Sequence, residues 1–106
     1  MFQRVVCFKF KPGTDEAAIR KHMDDFRGLE AAIPQIISYR GGPVIDEAND
    51  PQSGYDSMHY MTFASEEDIV PYFHHEAHQR FIRENRDIWD SVIVISSAIE
   101  EAMEQA

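Results

Sequence analysis

The sequence predicts a single α+β domain, an antiparallel sheet with helices packed on one of its faces. Three observations lead there. Strand-like and helical runs follow one another in the order βαββαβ. The strand-like runs alternate with period two, yet carry bulk on both faces. The 106 residues, 43% hydrophobic and 27% charged, supply enough apolar surface for one core and not for two.

Residues 2–10, Phe-Gln-Arg-Val-Val-Cys-Phe-Lys-Phe, are rich in β-branched and aromatic types, and Lys11-Pro12-Gly13 ends them as a turn. Thr14 stands where a helix cap is needed. Asp15 and Glu16 follow in the first turn, beside the positive end of the dipole, and apolar residues recur with helical spacing at Ile19, Met23, Phe26, Leu29 and Ile33. Pro34 drives Ile33 out of the helical region, so the helix closes there and a second strand runs from Ile36 to about Ile45. Residues 46–54 hold turn formers and no apolar anchor larger than alanine, and are expected as a flexible surface loop.

Residues 55–64 alternate, with Tyr55, Ser57, His59, Met61 and Phe63 on one face and Met58, Tyr60 and Thr62 on the other. Ser65-Glu66-Glu67-Asp68 resembles a capping box, and His78, Phe81, Ile82, Asn85 and Trp89 share a later helical stripe. Pro71 between them is expected to kink or split the helix. Residues 91–99 form the last strand, and an acidic tail occupies 100–106, leaving 1–99 as the domain.

This order is the split βαβ, ferredoxin-like arrangement. Its second sheet face would carry Val5, Cys7, Met58, Tyr60, Ile93 and Ile95, too apolar a set to leave in water. Two sheets packed face to face would cover each other, so the expected assembly is a homodimeric α/β barrel.

Ten basic against nineteen acidic residues give a net charge of −9, which repels phosphate backbones and anionic membrane surfaces. No nucleic-acid or membrane partner is expected. The apolar stretch 92–99 is too short to span a bilayer, and no secretory signal is read at the N-terminus, so the expected location is cytoplasmic. The single Cys7 reads as a small buried hydrophobe.

Over nearly its whole length the chain resembles the stress-responsive dimeric α/β-barrel (Dabb) family. The matching pieces are residues 5–11, Ile33-Pro34 followed by Tyr39 and Gly41, the Gly54-Tyr55-Asp56 entry to a strand ending Thr62-Phe63-Ala64-Ser65, and Tyr72-Phe73-His74-His75-Glu76-Ala77-His78 leading to Phe81. The resemblance implies the same protomer and the same dimeric barrel. It also implies a range of roles, because the family includes stress-responsive proteins, higher oligomers and, in one plant branch, a polyketide cyclase that works without cofactor. By that likeness His78 would be an acid/base histidine and Tyr72 its neighbouring tyrosine. Two further histidines of the cyclase fall where this sequence has Arg4 and Ser57, and there it departs from the pattern.

An imidazole titrates near neutrality and can take a proton from a carbon acid when a partner fixes its tautomer. His78 with Tyr72 fits that chemistry; the structural alternative is a histidine that caps and packs the second helix. Strand parity and helical spacing let Arg4, Phe26, His59 and Phe81 converge with them as ligand-binding groups, Arg4 as an anchor for a carboxylate or phenolate. Arg4 could equally pair with one of the many acids. His74, His75 and His78 have helical spacing for a metal, but Glu76 is misplaced for a zinc-protease pattern, and neither metal nor cofactor is expected. Two functions follow: a barrel binding a small aromatic or hydrophobic molecule, or a cofactor-free acid/base enzyme. A sealed, filled interior favours the first; an open apolar pocket with His78 in its wall favours the second.

Overall fold

A computed structural model describes residues 1–49 and 51–100. Its elements are β1 (Phe2–Phe10), α1 (Glu16–Arg27), α2 (Leu29–Ala32), β2 (Ser38–Pro43), β3 (Ser57–Phe63), α3 (Ile69–His74), α4 (Glu76–Asn85) and β4 (Trp89–Ala98), with one-turn 3-10 segments at Glu66–Asp68 and Arg86–Ile88. The strands form one antiparallel sheet in the order β2-β3-β1-β4. This is the ferredoxin-like topology expected from the sequence. Of the acidic tail, only Glu100 falls within the described residues.

Several boundaries differ from the sequence reading, each for a local reason. Asp15, not Thr14, caps α1: its carboxylate accepts from Ala18 N at 2.8 Å, while the Thr14 hydroxyl donates to Lys11 O. The first helix breaks at Gly28, so Leu29 and Ile33 reach the core from the short α2 and its C-cap and not from α1. β2 begins at Ser38 and β3 at Ser57, both shorter than read. Ser65 opens a 3-10 turn without a reciprocal capping box. Pro71 does not split the second helix, because it lies in the first turn of α3, where its missing N–H would have had no partner. The break comes at His75, whose extended backbone and ring Nδ1, accepting from Ala77 N at 3.0 Å, start α4 afresh.

Trp89 is the largest correction. It opens β4 instead of closing α4. In the β1–β4 ladder Lys9 pairs with Ser91 and Phe10 with Trp89, so Asp90 is a bulge. That one-residue slip turns an odd-numbered side chain to the face shared by the even-numbered Val92 and Val94.

The core lies between the inner sheet face (Val6, Phe8, Phe10, Tyr39, Met61, Phe63) and Phe26, Leu29, Tyr72 and Phe81 of the helices, with Ile33 just past the end of α2. Two histidines sit within it, both fully buried. His59 on β3 holds Tyr39 Oη at 2.7 Å through Nδ1 and Ser57 Oγ at 3.1 Å through Nε2, and Phe26 stacks on its ring at 4.0 Å. His22 on α1 meets the Phe8 and Phe10 rings edge-on at 4.5 and 4.9 Å. Burial lowers the pKa of His22 to about 4, against the opposing pull of Asp25, and that of His59 to about 3, with His22 adding to the shift.

On the outer sheet face, Met58, Ile93 and Ile95 are exposed and Val5, Cys7 and Tyr60 half-buried. β4 pairs with β1 along one edge only, and its residues from Asp90 to Ala98 are exposed on both faces.

Two predictions follow from the core. Gly41 lies opposite His59, under the Tyr39 ring, and a Cβ there would collide with the Tyr39 hydroxyl and stand 2.9 Å from Met58 O. Gly41→Ala should therefore cost roughly 1–3 kcal/mol of stability, read by chemical denaturation. Below pH 6.5 the unfolded chain protonates His22 and His59 while the folded chain keeps them neutral. Unfolding then takes up protons, and stability falls as pH drops, at about 1.4 kcal/mol per pH unit for each histidine. The loss runs down to about pH 4 for His22 and about pH 3 for His59, with lowered His78 acting in the same sense. Denaturation curves between pH 5 and pH 6.5 (roughly above the carboxylate range) should show this slope, and His59→Gln should remove one histidine's share.

Candidate functional site

A cavity of about 150 Å³ opens between the β1–β4 half of the sheet and helices α3 and α4. Val6 and Phe8 of β1 and Val92 and Val94 of β4 form its floor; Tyr72, Phe73, His78, Phe81 and Ile82 stand over it, with Arg4, Phe26 and Trp89 completing the wall. A more open groove of about 480 Å³, with Glu66, Glu67 and Val70 at its sides, adjoins it across Arg4.

Five of the six site residues expected from the sequence meet here: Arg4, Phe26, Tyr72, His78 and Phe81. His59 does not. It belongs to the same sheet face, but one strand over, opposite Val6, and Phe8 and Phe26 cover its ring, so it supports the cavity wall from behind.

The tautomer of His78 is fixed by the helix break. Because α3 ends at His74, the Phe73 carbonyl has no amide one turn later to accept from. It takes instead the Nδ1–H of His78 at 3.0 Å and the Gln79 side-chain amide at 2.6 Å. A carbonyl only accepts, so the His78 proton lies on Nδ1 and the lone pair on Nε2 is left unengaged among the described residues. Burial lowers the His78 pKa below the usual imidazole value, the Phe73 bond opposing it and Arg4 adding to it, so the ring is neutral at pH 7.

Tyr72 lies against it, ring centroids 4.6 Å apart. Burial raises its hydroxyl to about 12, with the Arg4 charge opposing, so it stays a donor. Arg4 places its guanidinium 6.0 Å from the Tyr72 centroid and donates from Nη1 to Ser96 Oγ at 3.1 Å. Its Nε is buried without a partner among the described residues. An imidazole base, a phenol donor and a cation with a spare N–H thus share one apolar chamber.

Sequence reasoning missed Phe73, Val92 and Val94 as lining residues and His22 as a buried group touching Trp89, and it placed Trp89 on the helix instead of β4. The alternation of β4 identified the valines' shared face; nothing in the pattern announced the bulge that brings Trp89 beside them. Among the described residues no three His, Cys, Asp or Glu side chains are grouped to hold a metal ion, and no helix is long and apolar enough to cross a membrane.

Comparison with known proteins agrees with this architecture. A crystal structure of an Arabidopsis thaliana protein matches with a TM-score of 0.85 and 23% identity, over 98% of this chain and 100% of that one. A hydroxynitrile lyase from Passiflora edulis matches with a TM-score of 0.85 and 19% identity, over 97% and 96%. A Dabb family protein with a ferredoxin-like fold from Mesorhizobium loti gives 0.76 and 18%, over 94% and 97%. Several further matches are described as dimeric with a ferredoxin-like fold. No curated protein matches the sequence. At these identities the structures share a fold, and the sequence itself supplies the closer relationship: the model of the stress responsive A/B barrel domain matches residues 2–98, and the chain belongs to that family, Dabb.

Proposed function

We propose that this protein is a homodimeric barrel that binds a small, single-ring aromatic molecule carrying an acidic or carbonyl oxygen. The observation behind the reading is the apolar cavity with Arg4 at one end. An apolar protein cavity of about 150 Å³ is known to accommodate benzene, and this one has that volume. The buried, unpaired Nε of Arg4 supplies the donor that a carboxylate, phenolate or carbonyl oxygen would satisfy.

A second reading, proton transfer, is favoured by the fixed tautomer of His78. With Nδ1–H held by Phe73 O, Nε2 is a ready base in the cavity wall. It would take a proton from a carbon next to the ligand carbonyl, giving imidazolium and an enolate. Tyr72 O–H and Arg4 would stabilise the enolate oxygen, and the imidazolium would return the proton. The pocket is open and apolar, the arrangement expected of the enzymatic alternative. A protein of this fold, the Passiflora edulis match, is an enzyme.

The dimer rests on the outer sheet face, where Met58, Ile93 and Ile95 are exposed beside Val5, Cys7 and Tyr60. A second copy with the same face would cover it, and similar folds are described as dimeric.

Benzoate at a hundred times its dissociation constant should stabilise the protein by about 2.7 kcal/mol in a thermal-shift assay. Arg4→Gln should weaken benzoate more than neutral phenol, and Val94→Phe, which fills the floor, should abolish both shifts; no shift with any monocyclic aromatic acid or phenol removes the binding reading. For proton transfer, deuterium uptake by acetophenone in D₂O, followed by NMR, should be catalysed by the native protein, rise with pH through the lowered His78 pKa, and vanish in His78→Ala with acetophenone binding retained. Equal uptake by the variant makes His78 structural. Sedimentation velocity should show a dimer at micromolar concentration and dissociation or unfolding in Ile93→Asp, where an unpaired carboxylate would be buried; a stable native monomer argues against the assembly.

A further inference from the structure

Trp89 reaches the cavity only because Asp90 is bulged out of the ladder, and once there its indole is tethered. Nε1–H donates to Nδ1 of His22 at 3.0 Å. The indole nitrogen can only donate, so His22 must accept through Nδ1 and carry its own proton on Nε2. That Nε2 is buried and has no partner among the described residues, although His22 is completely enclosed by the rings of Phe8, Phe10, Phe81 and Trp89.

An apolar side chain would fill this space without leaving a donor unsatisfied. What the histidine supplies and leucine would not is an acceptor aimed at the indole. Phe8 and Phe81, tilted against Trp89 with centroids 4.7 and 5.6 Å away, restrict the ring further, and both also line the cavity. On β4 Trp89 lies at the opposite end of the cavity floor from Ser96, the partner of Arg4.

We propose that Trp89 is a specificity-determining wall of the cavity and that His22 is its positioning residue, the hydrogen bond fixing the indole so that the chamber takes one aromatic ring and rejects fused or longer ones. The proposal rests on the cavity being a ligand site. It adds what sets the length of that ligand: Arg4 holds the oxygen at one end, and the tethered indole closes the other.

The test compares benzoate with 2-naphthoate on the native protein, His22→Leu, His22→Asn and Trp89→Phe, together with the indole N–H resonance of the single tryptophan. The native protein should prefer benzoate. His22→Leu should shift the indole resonance and relax the preference by about tenfold, the effect of losing roughly one neutral hydrogen bond. His22→Asn places a carbonyl near the former Nδ1 and should restore both, a rescue that simple loss of stability would not produce. Trp89→Phe keeps a ring but no N–H and should relax the preference as His22→Leu does, which covers the case of a poorly folded leucine variant. If the native protein prefers benzoate and neither Trp89→Phe nor a folded His22→Leu alters that preference, the positioning role is overturned while the ligand site stands. If the native protein binds neither acid, the ligand site itself fails and the specificity role with it.

Discussion

Phe8 stands near the end of a central strand, β1, and five rings take their places around it: His22, Phe26, His59, Phe81 and Trp89, with centroids 4.5 to 6.2 Å away. The ring divides the interior. On one side is a close-packed layer in which two neutral histidines are held by Tyr39, Ser57 and Trp89; on the other is the chamber with His78 and Tyr72. A smaller residue at position 8 would join the two and let the histidine layer relax into the space. The order of the candidate site thus depends on packing beneath it as much as on the groups that line it.

The same sheet explains the uneven distribution of chemistry. Its helix-covered face holds the buried histidines and the cavity, while its other face mixes apolar side chains with Cys7, Tyr60 and Arg40. A four-stranded sheet of this length has more apolar surface than these short helices can shield. Family membership and the dimeric neighbours are consistent with a protein that shields the remainder with a copy of itself.

Much of the fold was legible because alternation in strands is local. Ser57, His59, Met61 and Phe63 are all buried and Met58 is exposed, as their parity requires. Parity and helical spacing also allowed Arg4, Phe26, Tyr72, His78 and Phe81 to converge, and they do line one cavity, although His78 and Tyr72 were singled out by the family resemblance. What could not be read depends on single backbone events. The break at His75 arises from an extended backbone angle at one residue, and it creates the carbonyl that orients His78. The bulge at Asp90 shifts one pairing and makes Trp89 a wall residue. His59 failed as a lining residue because parity gives the face of a sheet and not the position across it: it lies level with Val6 but one strand away from the β1–β4 half that floors the cavity. His22, three residues after Ile19 and four before Phe26, keeps the spacing of the buried stripe of α1, but its polar type among Arg20, Lys21, Asp24 and Asp25 hid it from a reading by hydrophobicity.

The pairing of the first strand with the last has a consequence for how the chain comes to be folded. Gln3 and Ser97, whose side chains meet at 3.0 Å, are 94 residues apart in sequence. Half of the chamber's floor is β4, so the chamber cannot close, and β1 cannot gain its second neighbour, while that segment is still within the ribosome. Folding must wait for synthesis to pass residue 98, and the closing step joins segments separated by almost the whole domain, a topology that folds slowly. Until then β1, with its alternating Val, Cys and Phe, has no strand on one side.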